Sequence, residues 1–94
     1  MERVTMKKLI EKAEYLNDLT LGSPDDHFTD DEGYWTKPGA YTISGAYSGY
    51  CLHRFTGKTG GVADVLGTGH IPARELLGLI NAFIAGYRSR YHKS

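Results

Sequence analysis

The stretch 41-YTISGAYSGYCLHRFT-56 decides the fold of this chain of 94 residues. Side chains at residues 41–47, and again at 50–56, alternate in character along the chain, and a period of two is typical of strands with one buried face. Ser48 and Gly49 lie between the two runs and suit a turn. The stretch therefore predicts a β-hairpin.

Further strand and helix patterns flank this hairpin. A second turn at 57-GKTGG-61 leads into a short third strand at residues 62–66, and residues 73–91 carry apolar side chains at helical spacing. Before the hairpin, Thr5 is a suitable N-cap for an amphipathic helix over residues 5–18. The predicted order is α-β-β-β-α, an α+β domain in which two helices cover one face of a three-stranded antiparallel sheet.

The last helix also carries a stripe of small residues, Gly78, Ala82, Ala85 and Gly86. An interior glycine costs a helix about 1 kcal/mol relative to alanine, so we expect another backbone to approach closely. The simplest neighbour is the sheet beneath the helix, and the alternative is the same helix of a second copy. The chain is accordingly expected to be a monomer or a homodimer.

Charge is divided along the chain. Residues 1–34 carry nine acidic against four basic side chains, whereas residues 35–94 carry seven basic against two acidic ones. Residues 22–39 combine Gly, Pro, Ser and Asp with few apolar side chains and are expected to form a long acidic loop. The opposite charges of the two parts of the chain predict one of two arrangements. Either the acidic part packs on the basic part, or one of the two forms a charged surface that binds a partner.

Composition limits the class of protein. The chain has the length of one domain, spanning residues 1–94, and its apolar runs fall far short of the roughly 20 residues that cross a bilayer. Its start does not resemble a signal peptide, so a cytoplasmic location without membrane contact is expected. Cys51 is the one cysteine, so neither an internal disulfide nor a zinc knuckle is expected.

A protein-binding surface is the leading functional hypothesis. Acidic side chains of the loop and aromatic side chains of the hairpin are expected to contact a protein partner. The candidate partner-binding residues are Asp30, Asp31, Glu32, Trp35, Tyr47 and Tyr50. The chain would then be a small non-enzymatic binding protein.

The segment 67-GTGHIPAR-74 supports an alternative function. It joins the last strand to the last helix, and backbone N–H groups at a helix N-terminus are available to an anion. A nucleic acid or a nucleotide phosphate would bind here and to the basic C-terminal half. The candidate anion-binding residues are Lys58, Gly67, Thr68, Gly69, His70 and Arg74, with Arg88 and Arg90 as further cations.

Catalytic and metal sites are less well supported. Cys51 and His53 share one face of the predicted strand, and the catalytic hypothesis would depend on these two residues and on His70. A nucleophilic thiol, however, needs a low pKa and access to solvent, which the sequence does not show. Two such ligands are too few for zinc. The turn 57-GKT-59 lacks the glycine of a phosphate-binding loop, since Leu52 stands in its place. We expect no enzyme, no metal and no cofactor.

Two resemblances accompany these patterns. The element order resembles that of double-stranded RNA-binding domains, but their second helix begins with a lysine-rich stretch, whereas this chain has 71-IPARE-75. The runs 41-YTISGAY-47, 52-LHR-54, 60-GGV-62 and 69-GHIPAREL-76 are similar to small proteins carried by phages and other mobile elements. The second resemblance implies an accessory protein that binds a macromolecule of the host or the phage, with inhibition of a host system as one such role.

Overall fold

The computed structural model describes residues 4–91, which form two helices and two antiparallel sheets. The elements are α1 (Met6–Leu21), β1 (His27–Asp30), β2 (Gly33–Thr36), β3 (Tyr41–Ala46), β4 (Gly49–Phe55), β5 (Val62–Asp64) and α2 (Ala73–Tyr91). Strands β3, β4 and β5 pair in that order, and β1 pairs with β2 alone. The predicted α+β class is confirmed, as is a three-stranded antiparallel sheet preceded in the chain by one helix and followed by another.

Residues at each end of α1 fix its length. The Thr5 hydroxyl accepts a hydrogen bond from the backbone N–H of Lys8, which confirms the predicted N-cap. At the other end Gly22 adopts φ 77°, and its N–H donates to the carbonyl of Asp18. A left-handed glycine ends a helix without a steric cost, so α1 continues three residues beyond the predicted end at residue 18.

The predicted β3–β4 hairpin is present, but its turn lies one residue earlier in the chain than expected, and its register differs accordingly. Ile43 lies opposite Leu52, and the two central turn residues are Tyr47 and Ser48, with φ angles of 53° and 61°. Positive φ at both positions is the pattern of a type I′ turn, which matches the twist of the strands. Gly49 therefore begins β4 instead of belonging to the turn.

The expected loop over residues 22–39 contains a second hairpin, which corrects that prediction. Its strands β1 and β2 have four residues each. The hairpin attaches to the turn between β4 and β5 through Thr36. Its N–H donates to the carbonyl of Lys58 and its hydroxyl donates to that of Gly57, at 2.9 and 2.6 Å. Side-chain and backbone hydrogen bonds thus order an acidic segment that has few apolar side chains.

Both helices pack on one face of the three-stranded sheet. The buried core consists of Leu9, Ala13, Leu16, Tyr41, Leu52, Leu76, Ile80 and Ile84. Side chains on paired strands share a face, so the other face carries the pairs Ser44–Cys51 and His53–Asp64. Within residues 4–91, no helix has the length and hydropathy needed to span a bilayer.

The small-residue stripe of α2 does not pack on the sheet. A Cβ placed on Gly78 or Gly86 would have no heavy atom within 4 Å, and Ala82 and Ala85 are exposed. The explanation by close sheet packing is therefore wrong. Contact with a second copy of the helix stays a prediction.

Candidate functional site

The structure regroups the two predicted binding sets at opposite ends of the three-stranded sheet. Lys58 joins the acidic hairpin, with its Nζ 4.9 Å from the ring centroid of Trp35. Tyr47 joins the segment before α2, with its ring centroid 6.0 Å from that of His70. The seven residues of β4 separate these ends by about 20 Å.

The tip of the β1–β2 hairpin is built around Asp30. Its Oδ1 accepts hydrogen bonds from the N–H groups of Glu32 and Gly33 and from the indole N–H of Trp35, at 2.8, 3.2 and 2.9 Å. The Trp35 bond, followed by the Glu32 bond, holds the pKa of the Asp30 carboxyl below its ordinary value. Asp30 and Trp35 thus shape the tip, while Asp31 and Glu32 are exposed on it.

Tyr47 is the most exposed large apolar side chain among the described residues. Its relative exposure is 94%, compared with 69% for Tyr34. A tyrosine at positive φ is a steric outlier, because its Cβ crowds the backbone. The other hairpin tyrosine proposed for partner binding, Tyr50, is partly buried against the core.

Gly49 allows the chain before α2 to lie directly against β4. The N–H of Tyr50 donates to the carbonyl of Ile71, and the N–H of Ile71 donates to that of Tyr50, at 2.8 and 2.9 Å. A Cβ on Gly49 would lie 3.0 Å from the backbone carbon of His70 and from the nitrogen of Ile71. Glycine at this position therefore fixes His70 beside the turn that carries Tyr47.

The candidate anion-binding segment already holds a carboxylate. The N–H groups of Gly67 and Gly69 donate to the two oxygens of Asp64 at 3.0 and 2.8 Å. The Gly69 bond is the largest cause that holds the pKa of Asp64 below its ordinary value. The Thr68 hydroxyl donates to the carbonyl of Gly69. These N–H groups therefore close the loop on the protein's own Asp64, and Arg74 lies exposed beyond it.

The cysteine and histidines considered for catalysis lie together on the helix-free face. Ser44 Oγ is 3.1 Å from His70 Nε2, and the ring centroids of His70 and His53 are 6.0 Å apart. Cys51 is only 1% exposed. Burial, followed by its hydrogen bond to Asp64, raises the pKa of the Cys51 thiol to about 11. A protonated, buried thiol is a poor nucleophile.

A groove on the helix side of the sheet was not predicted from the sequence. It has a volume of about 600 Å³, and we call it the arginine groove. Its walls include Tyr41, Arg54, Phe83, Gly86, Tyr87 and Arg90. The signal in the sequence was the strand alternation, which together with the register places Arg54 on the face of Tyr41. The open space at Gly86 of α2 could not be foreseen, because its glycine predicted close packing instead.

Comparisons with other proteins give no family for this chain. No protein-family model, no curated protein and no solved structure matches it. Among residues 4–91, no group of three or more His, Cys, Asp or Glu side chains is arranged to hold a metal ion.

Proposed function

We propose that this chain is a small non-enzymatic binding protein that acts through contact with a protein partner, and that Tyr47 is the main contact residue. An accessory role on a host protein in the cytoplasm is part of this proposal, because the resemblance of runs within residues 41–86 to proteins of phages and mobile elements implies it. The buried, protonated thiol of Cys51 supports a binding role over nucleophilic catalysis.

The combination of strain and exposure at Tyr47 carries this proposal. Left-handed backbone costs a residue such as tyrosine about 1 kcal/mol or more, whereas asparagine tolerates it. The ring recovers little of this cost in the isolated protein, because it is 94% exposed. Tyrosine is among the residues that contribute most to protein interfaces, so burial against a partner supplies a physical reason for it at this turn.

The surroundings of Tyr47 hold it ready for binding. A two-residue turn between paired strands restricts the backbone of Tyr47, and its ring lies edge-on to that of His70, with the centroids 6.0 Å apart. The tight packing at Gly49 fixes His70 in turn. A contact residue whose backbone is already ordered loses less conformational entropy when it binds than one on a mobile loop, which favours affinity.

The hairpin tip offers a second contact of a different kind. Asp31 and Glu32 are exposed there, at the end of the molecule that lies away from Tyr47 beyond β4. Exposed charges at the rim of an interface mainly affect the association rate and its dependence on salt. Neutralising both residues should slow association with the partner at low salt and change its dissociation little.

The test is copurification followed by affinity measurement with the purified partner. Wild type, Tyr47→Asn and the control Tyr15→Gln would be expressed with an N-terminal tag in native cells. We expect a stoichiometric protein with the wild type and the control, and about 30-fold weaker binding by Tyr47→Asn, the equivalent of about 2 kcal/mol at an interface tyrosine. Tyr15 is a suitable control because it is an exposed tyrosine on α1.

Two results would count against the proposal. One is the absence of any stoichiometric protein partner. The other is a partner that binds Tyr47→Asn as tightly as it binds wild type.

A further inference from the structure

The arginine groove contains a guanidinium group that is held in place before any ligand arrives. Arg54 Nε donates to the carbonyl of Gly39 at 3.2 Å. Its Cζ lies 5.7 Å from the centroid of the Tyr41 ring. A hydrogen bond on one side and a ring beneath it fix the plane of the guanidinium. The two terminal nitrogens of Arg54 keep the fork geometry that matches a phosphate.

The groove combines this cation with aromatic surface. Phe83 packs edge-on against Tyr41, with ring centroids 5.9 Å apart, and Tyr87 follows one turn further along α2. Arg90 adds a second guanidinium to the lining, and no described residue that lines the groove is acidic. The volume of about 600 Å³ lies within the range of roughly 300–1,000 Å³ that is typical of ligand sites.

We propose that the arginine groove binds a nucleotide phosphate, with the phosphate on Arg54 and Arg90 and the base against the rings of Phe83 and Tyr87. Planar guanidinium groups bind phosphate oxygens in pairs, and nucleobases stack on aromatic rings. The same chemistry is presented by a free mononucleotide and by the phosphorylated end of a nucleic acid strand. This site differs from the predicted 67–74 segment, whose N–H groups hold Asp64.

The first experiment is a titration of the protein with AMP, followed by NMR and calorimetry. We expect chemical shift changes concentrated at Phe83, at Gly86 and at Thr20, which also lines the groove. Loss of a charge-assisted hydrogen bond to phosphate should weaken binding at least about 10-fold in Arg54→Gln and in Arg90→Gln. Arg88→Gln is the matched control, because Arg88 lies on the same helix outside the groove lining, and its affinity should change less than about 2-fold.

A second variant separates ligand binding from folding. Gly86 lies in the wall of the groove and has open space around it. In Gly86→Leu the new side chain extends from the wall into the groove and obstructs the ligand, while leucine favours the helix that glycine disfavours. We therefore expect a thermal midpoint equal to or above that of wild type together with loss of AMP binding. Tyr47→Asn should leave AMP binding unchanged, so the two proposed sites can fail independently.

Competition distinguishes the source of the phosphate. Adenosine should bind at least about 10-fold more weakly than AMP, because it lacks the group that Arg54 contacts. A 5′-phosphorylated oligonucleotide that binds more tightly than AMP would indicate a strand end, and equal or weaker binding would indicate a free nucleotide.

Three results would overturn the proposal. The first is no shift change with AMP at millimolar concentration, and the second is an equal loss of affinity in Arg88→Gln. The third is tighter binding of a glutamate-rich peptide that displaces AMP, which would identify the groove as a protein-binding surface.

Discussion

Replacing Asn17 by alanine should destabilise the fold more than any single change of a surface residue. Asn17 is 1% exposed, and its side chain joins α1 to the start of β3. Its Oδ1 accepts from the N–H of Tyr41 at 2.6 Å, and its Nδ2 donates to the carbonyls of Tyr41 and Pro24 at 3.0 and 3.3 Å. Alanine would leave these backbone groups without their partner.

The size of the loss follows from these contacts. A buried N–H or carbonyl left without a partner costs about 1–3 kcal/mol, and Asn17→Ala leaves one of each on Tyr41. We expect a loss of about 3 kcal/mol, equivalent to a fall of roughly 12–24 °C in Tm for a domain of this size. The assay is urea unfolding followed by circular dichroism, with Asn81→Ala, on the exposed side of α2, as a control within about 0.5 kcal/mol of wild type.

The variant Asn17→Asp gives a pH-dependent test of the same contacts. It keeps the acceptor for the Tyr41 N–H but places the other oxygen against two carbonyls in a buried site, which raises the folded-state pKa of the new carboxyl above its unfolded value of about 3.9. Stability is then fully present below the unfolded pKa and is lost as pH rises through the folded pKa. Relative to wild type, the variant should therefore lose more stability at pH 7 than at pH 4.

Two results would refute this account of Asn17. One is a cost of less than about 1 kcal/mol for Asn17→Ala. The other is an equal difference between Asn17→Asp and wild type at both pH values.

Three further predictions concern the loops and the thiol. Gly49→Ala should lower the free energy of unfolding in urea by about 1–3 kcal/mol, because the new Cβ would meet backbone atoms at 3.0 Å. Gly78→Ala should be neutral or stabilising, because the space around Gly78 is open. Equal effects of the two variants would contradict the close packing at β4. Cys51 of the native protein should react with iodoacetamide at pH 8 at least about 100-fold more slowly than Cys51 of the protein unfolded in urea. At a pKa of about 11, roughly one native thiol in a thousand is ionised at this pH. Similar rates in the two states would show an accessible thiolate. The pKa of Asp64 is lower in the folded than in the unfolded protein, so its stabilising effect is present at neutral pH and is lost as pH falls through the folded pKa. The amide protection factor of Gly67, whose N–H donates to Asp64, should therefore drop below pH 3.8. Constant protection would exclude the Asp64 bond.

Local sequence patterns predicted those parts of the fold that local contacts stabilise. The β3–β4 pairing follows from alternation, and the start of α1 follows from the hydroxyl of Thr5. The acidic hairpin was missed because its ordering depends on bonds between residues far apart in sequence, such as Thr36 with Gly57. The burial of Asn17 was not predicted, because a polar side chain is not expected in a core. Its position, four residues after Ala13, nevertheless belongs to the buried face of α1.

The candidate sites were less predictable than the fold. The glycines at residues 67 and 69 indicated free N–H groups, but these groups donate to the carboxylate of Asp64, the last residue of β5. Spacing alone does not reveal that conformation. The contact of Lys58 with Trp35 depends on how the β1–β2 sheet is placed against the β3–β4–β5 sheet, and this placement has no local signal in the sequence. Alternation placed Tyr47 in the first strand of the hairpin, whereas it is a central residue of the turn, and its positive φ depends on the register of that turn.

The measurement that tests the central claim most directly compares stability and partner binding in Tyr47→Asn. If the strained, exposed tyrosine serves a protein partner, the variant should have a thermal midpoint equal to or above that of wild type, because asparagine tolerates the left-handed backbone. It should also bind the purified partner about 30-fold more weakly. A variant that unfolds at lower temperature and keeps its affinity would show that Tyr47 serves the fold, and would contradict the claim.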